Sequence, residues 1–265
     1  MGSAALFAKQ FDKNVKRVKE RLEAYMQEPE NDEKVHDVRT ALRRLEATFL
    51  LMPKKLRKRN QKQIDAHKQF FRANSRVRDY DIIRGRIAAR AQGDLFVQLA
   101  ADLDSKRKAE VAGAVRMARL VSTLPAASLK GLKEGELESR MDEVAGRLLA
   151  KVKRGLPVVV ADKKNVEELH QLRKDLKKLR YVLEVMPAGL RRSHEKKASR
   201  ILNGKNKPAK ERFKELQDML GQIHDIDITV QYLSSLRKKA ADSVIQGEKA
   251  ERDELFNKFA RSVRS

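Results

Sequence analysis

The chain has 265 residues, contains no cysteine, and carries 60 Lys and Arg against 37 Asp and Glu, a formal net charge of +23. The lack of cysteine excludes disulfides and thiolate chemistry, and 41% hydrophobic residues are enough to supply a core. The positive excess is larger than solubility requires and indicates an anionic partner, which composition leaves open between nucleic acid, an anionic membrane surface and a phosphate polymer.

Apolar residues recur every three or four positions along most of the chain, which predicts an all-α fold. The run Leu156-Pro157-Val158-Val159-Val160 is interpreted as an extended linker within a connector over 155–165, because proline opposes a helix and no second strand-like segment is present. A second connector is expected over 122–135. The predicted helices cover 6–26, 33–52, 54 into the eighties, 94–120, 132–154, 166–186, 190–203, 208–240 and 245–262.

Nothing in the sequence predicts export or a membrane span. No apolar stretch approaches the ~20 residues that cross a bilayer. The first residues lack a basic segment followed by an apolar run. A soluble, cytoplasmic protein is therefore expected.

The chain contains an internal duplication. The stretch Val35-His36-Asp37 matches Leu169-His170-Gln171, and His170 follows His36 by 134 residues. A second pair lies downstream, where Arg78-Asp79-Tyr80-Asp81 matches His224-Asp225-Ile226-Asp227. Two related units predict one domain over 1–265, made of a first half-repeat 1–128 and a second half-repeat 129–265.

Each repeat places a row of cations on one side of a helix. At ~100° per residue, these cations share a stripe beside the apolar seam that faces the bundle. The row over 36–43, the first strip, and the row over 170–180, the second strip, are therefore expected to line a groove. Ordinary solvated cations on amphipathic helices are the alternative. The strips consist of His36, Arg39 and Arg43, and of His170, Arg173, Lys177 and Arg180.

The order of these motifs resembles the CHAD domain, the conserved histidine α-helical domain. The matching motifs are His-x-x-Arg-x-x-x-Arg-Arg-Leu, Arg-Asp-x-Asp, His-x-x-Arg-x-x-x-Lys-x-x-Arg-Tyr and Leu-Gln-Asp-x-Leu-Gly, and they cover nearly the whole chain. The resemblance implies two helical-bundle halves related by a pseudo-twofold axis. It also implies a basic central groove or pore that binds long inorganic polyphosphate without cleaving it, and association with polyphosphate granules.

The resemblance also supplies candidate polyphosphate-binding residues by position. Those of the first half are His36, Arg39, Arg43, Arg44 and Arg78, and those of the second half are His170, Arg173, Lys177, Arg180 and Lys214. Arg72, Arg76 and Lys210, from the basic helices that follow, complete the candidate site. Glu46 stands where the second half has Arg180, so the first strip is expected to be weaker by one cation. The acidic Glu-x-Glu-x-Lys signature of the triphosphate-processing domains often fused to this family is absent, which favours a stand-alone module.

Two other function classes compete with this reading. Nucleic acid is the alternative partner. With 5% aromatic residues and no tryptophan, however, the chain has few side chains on which the bases of a single strand could stack. A metal-dependent phosphohydrolase is the enzyme alternative, but the repeat places Arg78 opposite His224, so that position does not require a metal ligand. No phosphate-binding loop and no nucleophile with a base partner stands out. We therefore expect no catalytic residue, no metal and no cofactor, and the oligomeric state stays open. The carboxylates behind the enzyme alternative are Asp79, Asp81, Asp225 and Asp227.

Overall fold

The structure, a computed structural model, describes residues 2–90, 93–204 and 207–264. Across these ranges the chain forms ten α-helices, a short 3-10 turn at Lys239–Ala241 and no strand, which confirms the predicted all-α class. The helices are α1 (Ser3–Gln27), α2 (Asp32–Leu51), α3 (Lys54–Arg59), α4 (Gln61–Ala88), α5 (Gly93–Ser122), α6 (Glu134–Ala161), α7 (Val166–Val185), α8 (Ala188–Ile201), α9 (Ala209–Ser235) and α10 (Asp242–Arg264).

Local sequence fixes both ends of α2, the helix that carries the first strip. The Asn31 side-chain oxygen accepts hydrogen bonds from the amides of Glu33 at 3.0 Å and Lys34 at 3.3 Å, which satisfies two of the free donors at the helix start. At the other end Met52 is extended, because the proline that follows it disfavours helical backbone.

The predicted extended linker at the valine run is wrong. Residues 156–160 belong to α6, and Pro157 lies inside that helix. Buried side chains continue at helical spacing through Val152, Leu156 and Val159, while Pro157 itself is exposed. The apolar seam of α6 therefore holds the segment helical and outweighs the local preference of proline.

The predicted single helix from Lys54 into the eighties is also wrong, because it breaks at Asn60. The buried Asn60 amide donates to the carbonyls of Leu56 at 2.8 Å and Ser128 at 2.9 Å, and its oxygen accepts from the Ser128 amide. This side chain satisfies backbone groups on both sides of the break between α3 and α4.

The chain divides into two compact units, each of which is made of three segments that are separate in the sequence. Unit 1 comprises Met1–Arg78, Lys108–Leu149 and Lys178–Lys196, and unit 2 comprises Asp79–Arg107, Ala150–Lys177 and Lys197–Ser265. Each unit thus takes residues from both predicted half-repeats. The half-repeat boundary at 128, the pseudo-twofold relation and the central groove or pore stay predictions.

The core of unit 1 contains large side chains of several helices. Phe7, Tyr25 and Phe70 are fully buried, and the Tyr25 and Phe70 ring centroids lie 5.5 Å apart. A buried hydrogen bond of 2.9 Å from the Asn14 amide to the Thr48 hydroxyl joins α1 to α2. These contacts hold α2 by one face and leave its basic strip on another.

Unit 2 combines an apolar cluster with a buried charge network. Ile83, Ile87, Leu99, Leu103 and Leu233 lie in one cluster. Beside it two arginines of α4 donate to carboxylates of α10, one of which is fully buried and therefore needs both partners. These partners are Arg86, Arg90, Glu248 and Glu251. None of the helices described has an apolar stretch long enough to cross a membrane.

Candidate functional site

The two arginines of the first strip lie over one aromatic ring. Arg39 and Arg43, one helical turn apart on α2, have guanidinium carbons 4.8 Å and 5.3 Å from the ring centroid of Phe71 on α4. A guanidinium over an aromatic face is attracted by the ring quadrupole and loses freedom of orientation. The ring therefore brings two positive charges close together in unit 1.

The two arginines differ in how much of their bonding capacity is already used. Arg39 is only 8% exposed, and its Nη1 donates to the Ser75 hydroxyl at 2.8 Å and to the Phe71 carbonyl at 3.5 Å. Arg43 is half-buried and has no carboxylate partner among the described residues. Arg43 is therefore the better placed of the two to donate to a ligand.

A second aromatic ring in unit 1 lies close to one arginine from each predicted half-repeat. The guanidinium carbons of Arg180 on α7 and Arg44 on α2 lie 4.7 Å and 5.9 Å from the Tyr181 ring centroid. Both arginines also approach the Glu184 carboxylate, with Nε to oxygen distances of 3.4 Å for Arg180 and 3.8 Å for Arg44. The extra cation of the second strip thus lies beside a cation of the first half.

The pKa of His36 is affected by positive charges of the first half-repeat. Its ring is exposed, and its pKa is lowered by partial desolvation and by the nearby charges of Arg78, Arg43 and Arg39. The neighbouring Asp37 raises the pKa less than these causes lower it, and its carboxylate is paired with Arg21 at 2.9 Å. Cations of the first half therefore gather around one imidazole.

In unit 2, His170 of the second strip contacts polar side chains of α9, one of which also contacts α10. His170 Nε2 lies 3.0 Å from Asp227 Oδ2 and 3.4 Å from His224 Nδ1, and the two imidazole rings meet edge to face. The other Asp227 oxygen accepts a hydrogen bond from Arg252. Asp227 therefore orients both a strip residue and an arginine of α10.

His224 lies close to cations of the second strip. Burial, and then the nearby charges of Arg173, His170 and Lys177, lower the pKa of His224 to about 3. Two cations of the second strip are thus close enough to disfavour another positive charge. This arrangement is suited to an anion that supplies the missing negative charge.

No hydrogen bond, ion pair or ring contact in the described part of the chain joins four other candidate residues to these clusters. Arg72 is exposed on α4, and Arg76 pairs with Glu110 at 3.4 Å. Lys210 and Lys214 are exposed on the first turns of α9, and no contact within the described ranges joins either of them to the histidines of unit 2. Within each unit the structure gathers cations of a strip, and the contacts of the described residues do not connect these four cations to either cluster.

Two of the four carboxylates behind the enzyme alternative, Asp81 and Asp227, are engaged with cations. Asp81 accepts a 2.6 Å hydrogen bond from Arg107, and Asp227 binds His170 and Arg252. Over residues 2–90, 93–204 and 207–264, no group of three or more His, Asp or Glu side chains is arranged to hold a metal ion.

Sequence reasoning missed the residues that support the strips. Phe71, Ser75 and Arg252 carry no periodic pattern of their own, and only tertiary contacts reveal what they touch. Tyr181 was within reach of sequence reasoning, because it directly follows Arg180 in a motif of the resemblance. Asp227 was recognised in the repeat, but not as the partner of His170.

Comparison with known proteins identifies the family. A crystal structure of the CHAD domain from the plant Ricinus communis superposes with a TM-score of 0.65 at 15% sequence identity, covering 100% of this chain and 92% of that one. This likeness concerns the fold alone. No curated protein matches the chain in sequence. The CHAD domain family model matches residues 9–234, most of the length, and the chain therefore belongs to the CHAD domain family.

Proposed function

We propose that the protein binds long inorganic polyphosphate, without cleaving it, through cations of the two strips. The observation that carries this proposal is that cations of a strip lie near a histidine in each unit, whose pKa is lowered first by burial and then by these charges. Such a concentration of like charge is unfavourable in the free protein. A bound polyanion offsets the repulsion between these cations, and this contributes favourably to the free energy of binding.

The chemistry of polyphosphate fits these side chains. Each phosphate of the polymer carries about one negative charge and no base. A protein that binds it therefore needs spaced cations and no groups that read base edges. Arg43 offers a planar fork of donors to non-bridging oxygens, and Lys177 offers a mobile point charge. Arg39, with its Nη1 engaged by Ser75, acts in this proposal as support for Arg43.

Charge-neutralising variants test which cations bind. Arg43→Gln in unit 1, and Arg173→Gln with Lys177→Gln in unit 2, should each weaken binding of polyphosphate at least about tenfold, since each loses charge-assisted hydrogen bonds. The matched controls are Arg116→Gln on α5 and Lys153→Gln with Arg154→Gln on α6, which remove the same charge from exposed positions. Isothermal titration calorimetry gives the affinities. Equal losses in site and control variants would remove the strips from the site.

Double-stranded DNA is the rival polyanion. If the strips are suited to a chain without bases, DNA at equal phosphate concentration and moderate salt should leave labelled polyphosphate bound. The measurement is fluorescence anisotropy of end-labelled polyphosphate. Displacement by DNA at that ratio would favour the nucleic-acid function.

The absence of cleavage is a separate part of the proposal. Asp81 is paired with Arg107, and Asp227 with His170 and Arg252, which supports orientation of cations in place of metal chemistry. Long polyphosphate incubated with the protein and Mg²⁺ or Mn²⁺ should keep its length on a sizing gel. Shortening that disappears in the Asp227→Asn variant would establish an enzyme.

The cellular site follows from the ligand. We expect the protein in the cytoplasm, at polyphosphate granules where the cell forms them. A fluorescent fusion should overlap with stained granules, and the Arg173→Gln/Lys177→Gln form should become more diffuse. A fusion that stays diffuse in granule-containing cells would contradict this part of the proposal.

A further inference from the structure

We propose that Phe71 and Tyr181 are positioning residues for polyanion binding, each holding two guanidinium groups ready for the ligand. The inference rests on the proposed function and adds the two aromatic rings to it. Neither ring needs to contact phosphate. Their role is to keep arginines of unit 1 in place before the ligand arrives.

The Phe71 ring links the buried and the available arginine of the first strip. Arg39 is fixed by Ser75 and the Phe71 carbonyl, and its guanidinium covers one part of the ring at 4.8 Å. Arg43 lies over the same ring at 5.3 Å, without a carboxylate partner in the part of the chain described. The ring is therefore the contact that orients Arg43.

The Tyr181 ring does the same for a pair drawn from two helices. Tyr181 is 6% exposed, and its ring centroid lies 4.7 Å from the Arg180 guanidinium carbon and 5.9 Å from that of Arg44. Glu184 approaches both arginines from the side, at 3.4 Å and 3.8 Å. One aromatic ring and one carboxylate thus hold two side chains that would otherwise repel each other.

The physical reason is preorganisation. Two adjacent guanidiniums repel, and each long side chain has many rotamers to lose when it binds an anion. The negative face of an aromatic ring offsets part of the repulsion and restricts the rotamers, while the N–H edges stay available for oxygen acceptors. A ligand then meets donors that are already oriented, which strengthens binding.

The test removes the rings while keeping apolar bulk and net charge. Phe71→Leu and Tyr181→Leu should each weaken the affinity for polyphosphate of one defined length about five- to tenfold, because the arginines must then be oriented when the ligand binds. Phe71→Tyr and Tyr181→Phe keep a ring and should stay within about twofold of wild type. The control is Phe49→Leu, because the Phe49 ring meets His67 at 5.9 Å and no guanidinium within the described residues. This control should lower the Tm and leave the affinity unchanged.

A double-mutant cycle separates positioning from a general structural role. If Phe71 acts through Arg43, Phe71→Leu should cost less affinity in an Arg43→Gln background than in the wild type. Leucine variants that are folded by circular dichroism and bind as tightly as wild type would overturn the ring proposal and leave the proposed function standing. If one leucine variant does not fold, the other ring decides by the same criterion. A wild-type chain that does not bind polyphosphate would overturn both proposals.

Discussion

At the scale of single residues, His36 reports on the potential that a ligand would meet in unit 1. Its pKa is lowered by desolvation and by Arg78, Arg43 and Arg39. A phosphate chain beside these arginines brings compensating negative charge, so the pKa of His36 should rise when polyphosphate binds. By linkage, protonation and binding then favour each other, and the affinity should increase as the pH falls from the His36 pKa of the bound protein towards the lower pKa of the free protein.

The measurement is a pH titration of the imidazole proton shifts by NMR, with and without polyphosphate. His67 serves as the internal control, since its lowered pKa arises first from burial and no strip residue contributes to it. A His36 pKa that stays unchanged at saturating ligand would place the anion elsewhere.

His224 makes a prediction about stability. Its pKa of about 3 in the folded chain lies below the ordinary value of 6.5, so between these values the unfolded chain binds more protons. The free energy of unfolding therefore falls as the pH drops through this window, by up to about 1.4 kcal/mol per pH unit from this group. His224→Gln should lose about 2 kcal/mol less than wild type between pH 7 and pH 4.5, measured by urea unfolding. Equal acid losses in the two proteins would contradict the assignment.

Sequence reasoning reached part of this residue-scale account. Helical phase predicts that His36, Arg39 and Arg43 share one side of α2, and the effect of the Arg39 and Arg43 charges on the His36 pKa agrees with that. Phase does not predict what lies against the helix. Arg39 is therefore a candidate contact in the sequence, whereas in the structure it is a buried donor to Ser75.

At the scale of elements, α6 shows where local preference and tertiary packing disagree. Pro157 removes one backbone donor and lies on the exposed side of a helix whose other face is buried. Pro157→Ala should restore a hydrogen bond without disturbing the core and raise the free energy of unfolding by about 1 to 3 kcal/mol. Urea denaturation measures the change.

Pro125→Ala is the matched control, because Pro125 lies in the exposed connector after α5 and interrupts no helix. Its effect should be much smaller. A Pro157→Ala chain less stable than wild type would show that the helix gains from the proline.

The other helices show why most elements are predictable from sequence. For α2, the apolar spacing, the Asn31 cap and Pro53 all agree, and the predicted range 33–52 differs from Asp32–Leu51 by one residue at each end. The break after α3 depends instead on Asn60 reaching Ser128, a contact between distant parts of the chain. Periodicity cannot reveal such a contact.

At the scale of the whole molecule, the cations are divided between the two units differently from their division between the two strips. The sequence predicts a weaker first strip, because Glu46 stands opposite Arg180. In the structure, Arg180 belongs to unit 1 and shares a ring with Arg44, while Arg173 and Lys177 belong to unit 2. Arg180, the extra cation of the second strip, therefore adds its positive charge to unit 1.

The net charge of +23 predicts how binding responds to salt. Each cation that neutralises a phosphate releases a counterion, so the affinity for polyphosphate should fall by at least about tenfold between 50 and 200 mM salt. Arg43→Gln should reduce the slope of log affinity against log salt, whereas Arg116→Gln should leave it unchanged. Calorimetry at four salt concentrations gives the slopes. An affinity insensitive to salt would contradict an electrostatic site.

The most direct test of the central claim is a crystal structure of the protein with bound polyphosphate. Our account predicts phosphate oxygens within hydrogen-bonding distance of the Arg43 guanidinium in unit 1 and of Arg173 and Lys177 in unit 2. It predicts Arg39 still bonded to Ser75 beneath them. Ordered phosphate found only along other basic segments, such as Lys54–Arg59, with the strips unoccupied, would contradict it.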